Sequence, residues 1–193
     1  MAKVPDSKEK TLAAAAKLFR CQGFHGTALQ DILAAGGAPR GSLYFHFPGG
    51  KEEIGEAALA MAGEATRQGI ARAAEASESA EIFLTRLARR MASDLAESGF
   101  KEGCPIATTA LETSAQSEVL GAATRSAFQK WEHEIARALQ RFGIAADVAE
   151  GLATIVLSQF EGALLLARTY RDPKPLQRAE QALKVLLTAY SSK

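Results

Sequence analysis

Cysteine is nearly absent from this sequence, with only Cys21 and Cys104 and no CxxC pair. That excludes a disulfide framework and fits a reducing compartment. Histidine is almost as sparse. His25, His46 and His133 stand far apart and, with two isolated cysteines, form no metal-ligand cluster, so neither metal nor cofactor is expected. Long hydrophobic runs are missing too. The most apolar segment, Leu152 to Arg168, is interrupted by Ser158, Gln159 and Glu161, and no membrane-crossing helix is expected. The opening MAKVPDSKEK has no apolar stretch of the kind a signal peptide needs, so a cytoplasmic protein is expected. Catalytic motifs are equally scarce. Gly49-Gly50-Lys51 lacks the earlier glycine of a phosphate loop, and Glu52 stands where Ser or Thr would be needed. Ser98-Gly99-Phe100-Lys101 spells SxxK without its companion motifs, so an enzyme is not expected.

What the chain has in abundance is helical patterning. Its 193 residues suffice for one well-buried unit, or for a small domain plus a larger one. Leu12, Ala15, Ala16 and Phe19 make a buried stripe in a first helix that is capped at Asp6 or Ser7 and ends before Gly23. A long alanine-rich helix is expected over about 51–75. Phe83, Leu84, Leu87, Met91 and Leu95 then mark a helix to about Glu97. Gly103-Cys104-Pro105 opens a short helix to about Thr113, and another runs from about Ser117 to Phe142. Ala145 to Tyr170 is apolar on most sides, which predicts burial on two faces. Its Gly162 lowers helix propensity by about 1 kcal/mol relative to alanine. A last helix follows Asp172-Pro173-Lys174-Pro175 and ends near Tyr190. No strand or repeat is expected: the fold class is all-α, with about nine helices.

Between the first helix and the long one lies Thr27 to Lys51, TALQDILAAGGAPRGSLYFHFPGGK. Thr27 and Gln30 fit a capping box, and Leu29, Ile32 and Leu33 share one apolar face. Gly36-Gly37 stops that helix, Pro39 suits the first turn of the next, and Pro48-Gly49-Gly50 ends it near Phe47. Two short helices about a glycine turn make a helix-turn-helix. Arg40, Ser42, Tyr44 and His46 can donate hydrogen bonds, and Arg40 to Phe47 contains no carboxylate that would repel phosphates. Residues 1–51 hold seven Lys or Arg against Asp6, Glu9 and Asp31, a net of +4, which leaves −3 on the remainder because the whole chain carries +1. The basic excess lies with the helix-turn-helix, where a nucleic-acid footprint belongs.

Thr27-Ala28-Leu29-Gln30-Asp31-Ile32, followed without a gap by Arg40-Gly41-Ser42-Leu43-Tyr44-Phe45-His46-Phe47 and Lys51-Glu52, closely resembles the DNA-binding domain of the TetR family of transcriptional repressors. GAPRGSLYFHFPGGKE, with the later GCPIATTALE, is similar to the LmrA/YxaF-type subgroup. Gly36, Ala38 and Pro39 depart from the family's commoner alanine, valine and serine in the turn. The resemblance implies a DNA-binding domain over 1–50 and a helical ligand-binding and dimerisation domain over 51–193. It also implies a homodimer on a palindromic double-stranded operator, released by a small hydrophobic or aromatic effector. Arg40 and Gly41 would lie at the major groove, with Arg40 able to read guanine O6 and N7. Thr27, Gln30, Ser42, Tyr44, His46 and Lys51 complete the DNA-contacting set.

By the same resemblance the last two helices pair with those of a second copy. Ala163, Leu166, Leu183, Leu187 and Tyr190 are the residues expected on that face. A pocket between helices would be apolar with a few polar groups. Phe83, Met91, Cys104, Ile106, Phe128, Trp131 and Phe160 are its candidate walls, with Gln159 or Thr109 for orientation. Two other functions fit parts of the sequence: a thiol-based redox sensor acting through Cys21 or Cys104, and a helical ligand-binding protein without specific DNA binding.

Overall fold

The structure, a computed structural model, describes residues 7–37 and 46–191. Among the described residues there are eight helices and no strand: α1 (Ser7–Gln22), α2 (Leu29–Gly36), α3 (Gly50–Glu75), α4 (Ala80–Glu97), α5 (Pro105–Thr113), α6 (Glu118–Arg141), α7 (Ala146–Tyr170) and α8 (Lys174–Ser191). The all-α expectation holds. The second helix of the helix-turn-helix falls, except for its last two residues, outside the described residues.

Side-chain caps set several of these boundaries. Ser79 Oγ accepts from Ile82 N–H at 3.3 Å to open α4. Cys104 Sγ accepts from Ala107 N–H at 3.4 Å to open α5, with Pro105 in the first turn, where no N–H is required. Ser117 Oγ accepts from Leu120 N–H at 3.1 Å just before α6. The cap of α2 differs from the sequence expectation. Its N-cap is Ala28, whose N–H donates to Asp31 Oδ2 at 3.2 Å, rather than Thr27 paired with Gln30. At the other end Gly37 takes φ +65°, the left-handed conformation expected there.

The chain divides into two compact units. The first holds the residues up to Glu64 together with Cys104–Phe128, so it reaches beyond the helix-turn-helix into α3 and takes in α5. Its buried side chains include Leu12, Phe19, Ile32, Leu33, Phe47, Ile54 and Ile106. The second unit, Ala65–Gly103 with Gln129–Lys193, buries Phe83, Leu84, Trp131, Ile135, Leu139, Phe160 and Leu176. Within it α7 packs on α8, and α4 packs on both.

Helix α7 buries one face rather than two. Ala149, Leu152, Ala153, Val156, Phe160, Ala163 and Ala167 turn inward, while Ile155, Leu165, Leu166 and Tyr170 are exposed. On α8, Leu183 and Leu187 are buried while Val185 and Tyr190 are exposed. Of the five residues expected on a pairing face, Leu166 and Tyr190 are therefore available, whereas Ala163, Leu183 and Leu187 fill this unit's own core. Both helices carry two apolar stripes, and alanine on the inner stripe of α7 permits close packing. The expectation that no segment is long and apolar enough to cross a membrane is not met in one helix. By length and composition α7 could cross a bilayer, although Ser158, Gln159 and Glu161 lie along it. Its outward apolar stripe is interleaved with these polar residues.

Candidate DNA-binding head

The turn between α1 and α2 is pinned from several sides. Gln22 Nε2 donates to Gly26 O at 2.9 Å, and Thr27 N–H donates to Phe24 O at 3.2 Å. Thr27 Oγ1 donates to Gly23 O at 2.6 Å, and the side chain is fully buried. A hydroxyl has one proton to donate, and this one is engaged inside the head. Thr27 therefore closes the turn, and no part of it is open to a phosphate. Gln30, by contrast, is exposed at the start of α2.

Against the same turn, Lys51 lies in the first turn of α3 with its Nζ 4.3 Å from the centroid of the Phe24 ring. Burial pushes its ammonium below the ordinary lysine range, and the nearby Glu112 carboxylate opposes that shift. Phe24 is itself packed on Phe19, with ring centroids 5.4 Å apart. The Lys8 ammonium stands 5.4 Å from the centroid of the buried Phe47 ring, and His46 is half-buried. Arg40, Gly41, Ser42 and Tyr44 lie outside the described residues.

Sequence reasoning missed Asp31 and Glu112. Asp31 sits at the third position of α2, where its carboxylate accepts the Ala28 N–H, the half of a capping box that an alanine N-cap still allows. Glu112 carried no signal, because its partner, the His25 N–H at 2.8 Å, is 87 residues away.

Two family models match the chain. Residues 12–58 match the tetR family of bacterial regulatory proteins. Residues 80–182, more than half of the chain, match the C-terminal domain of LmrA/YxaF-like transcriptional regulators. The chain is a TetR-family transcriptional regulator. It is 37% identical to the HTH-type transcriptional regulator LmrA of Bacillus subtilis over 188 residues, 94% of this chain and 97% of that one. A TetR transcriptional regulator from Chloroflexus aurantiacus superposes with a TM-score of 0.77 at 29% identity, covering 94% of both chains. A cysteine mutant of the TetR-family regulator CifR, solved with 26-base-pair double-strand operator DNA, superposes with a TM-score of 0.79 at 23% identity, covering 95% of this chain and 98% of its own. That last likeness concerns the fold.

In this TetR-family regulator the expected pocket residues are divided between the units. Cys104, Ile106, Thr109 and Phe128 belong to the first, and Phe83, Met91, Trp131, Gln159 and Phe160 to the second. Phe83, Ile106, Trp131 and Phe160 are buried core, Met91, Cys104 and Phe128 are half-buried, and Gln159 is exposed on α7. Two open depressions of the second unit, of about 490 and 380 Å³, are lined by other residues, among them Arg86 and Arg89 in one and Phe100 and Arg168 in the other. Thr109 stands apart: its hydroxyl is buried and has no hydrogen-bond partner. Its neighbours in helices behave otherwise. Thr108, Thr113 and Thr124 each donate to the carbonyl four residues back, at 2.8, 2.7 and 3.0 Å. Both cysteines are half-buried and outside any disulfide, and Cys104 Sγ serves as the cap of α5.

Proposed function

We propose that this regulator is a repressor that binds a palindromic operator as a homodimer and is released by a small, largely apolar effector. The observation that carries the DNA reading is the head itself: a stretch from Arg40 to Phe47 without carboxylates, followed by Lys51 at the N-terminus of α3. A helix N-terminus presents unpaired N–H groups and favours an anion, and a lysine beside it adds a full charge. In this reading Arg40 and Gly41 meet base edges, while Gln30, Ser42, Tyr44, His46 and Lys51 hold phosphates and set the register. Thr27 holds the turn from inside. Two heads about 34–36 Å apart would span one DNA turn. Binding of the protein to DNA fragments from upstream of its own gene, across a salt series, tests the proposal. Arg40→Ala should weaken selective binding by roughly 5–150-fold, the range for a lost bidentate base contact. Weak, unselective binding that is unchanged by that substitution would refute the reading.

The proposed pairing surface is the exposed stripe Ile155, Leu165, Leu166, Tyr170, Val185 and Tyr190. Gly162 supports it. Beyond its own turn of helix, nothing lies within 4 Å of where its Cβ would be, so the bare backbone faces outward in the middle of the stripe.

Effector binding is supported by the unpartnered Thr109 hydroxyl on α5, one turn after the buried Ile106. An effector that offers it a hydrogen-bond acceptor would relieve the penalty of burying it alone. If such an effector binds the DNA-releasing state better, about 2.7 kcal/mol of differential affinity suffices for a 100-fold release. Thr109→Val keeps the shape and removes the orphan group. The free protein should therefore gain about 1 kcal/mol and melt roughly 2–4 °C higher. A lower melting temperature would mean the hydroxyl is engaged in native packing.

A further inference from the structure

The turn that leads into the helix-turn-helix is held by one group from far along the chain. Glu112 occupies the last turn of α5, and its Oε2 accepts the His25 N–H at 2.8 Å. Its other oxygen lies directly over Gly23, where a Cβ would run into the carboxylate. Gly23 also takes φ +80°, a conformation that favours glycine, and a side chain there would have to displace the Glu112 carboxylate. The same carboxylate acts on the Lys51 ammonium, which rests on the face of Phe24, the residue between Gly23 and His25. Every other hydrogen bond described above for this turn is local, from Gln22 and Thr27.

We propose that Glu112 is a positioning residue for DNA binding. Through the His25 N–H it fixes the turn from which α2 departs, and through that turn it fixes Phe24 and the Lys51 that rests on it. The head then presents its phosphate-binding and base-reading groups in register only while α5 holds the turn. The chemistry required of residue 112 is an acceptor oxygen at the end of a two-methylene side chain. A glutamine oxygen can meet that requirement, whereas alanine cannot.

This inference rests on the DNA-binding reading above, and the test separates the two. The intact dimer and its Glu112→Ala and Glu112→Gln variants are titrated, by fluorescence anisotropy, against a fragment of DNA from upstream of the gene and against a scrambled duplex. Glu112→Ala should lose about tenfold or more in affinity for the selected fragment and little for the scrambled duplex, while melting within a few degrees of the parent. Glu112→Gln should restore the selected affinity to within about twofold. In amide spectra, the His25 N–H resonance should move strongly in the alanine variant and less in the glutamine variant. Unchanged selective binding by Glu112→Ala, or a Glu112→Gln variant as defective as the alanine one, would overturn the proposal. Failure of the parent itself to select any fragment would instead refute the DNA reading, and the amide spectra would still report whether Glu112 holds the turn.

Discussion

Replacing Leu166 and Val185 together by glutamate should leave the protein monomeric at micromolar concentration and abolish tight operator binding. Both side chains are exposed in the single chain, Leu166 on α7 and Val185 on α8, on the stripe that frames Gly162. Because they contribute little to the chain's own core, the substitutions should leave its folding nearly intact. In a twofold dimer each substitution enters the interface twice, so four carboxylates would be desolvated against apolar partners. An unpaired buried charge costs several kcal/mol, and each 1.4 kcal/mol is tenfold in dissociation constant. A loss of at least about 1,000-fold in dimer affinity is the expected result. Each head carries a modest positive charge, so one head alone would hold DNA weakly and with steep salt dependence. Light scattering coupled to size-exclusion chromatography reads the oligomeric state, and anisotropy on the same samples reads DNA binding. A variant that remains dimeric would move the pairing surface away from α7 and α8.

Phe24→Ala is expected to be the most damaging single substitution in the head. The ring is almost fully buried, lies 5.4 Å from Phe19 centroid to centroid, and carries the Lys51 ammonium on its face. Its Cε2 would be only 2.9 Å from a Cβ at Gly55, so α3 closes on the ring without a side chain between them. Removing a buried phenylalanine costs about 3–5 kcal/mol, because the cavity left behind collapses only partly. For a domain of this size that corresponds to a drop of roughly 6–20 °C in melting temperature. Phe24→Leu keeps most of the volume and should lose much less stability. It also removes the aromatic face under Lys51, so its DNA affinity should fall by more than its melting temperature predicts. Thermal melts and operator titrations on both variants make the comparison. If Phe24→Ala melts within about 2 °C of the parent, the ring is not what joins the turn to α3.

Much of this protein could be read from local chemistry. Glycines, prolines and Ser or Cys caps punctuate an apolar pattern of helical period, and backbone hydrogen bonding within a helix is a local matter. The bounds expected for α4, α5, α6 and α7 accordingly lie within a residue or so of those observed. The spacing of the two motif blocks is also a local property, and it carries the resemblance to the family by itself.

The tertiary structure decided what depends on groups distant in sequence. The sequence offers Thr27 as a cap, because its hydroxyl could serve as one. Closure of the turn supplied the Gly23 carbonyl as a stronger competitor, and the cap moved to Ala28 and Asp31. On α7 and α8 the periodicity revealed apolar stripes but could not say which stripe a neighbouring helix would cover. Packing turned Ala163, Leu183 and Leu187 inward and left Leu165, Leu166 and Val185 outside. Thr109 and Glu112 were hidden for the same reason. A hydroxyl is orphaned, and a carboxylate meets an N–H 87 residues away, only once the chain has folded around them.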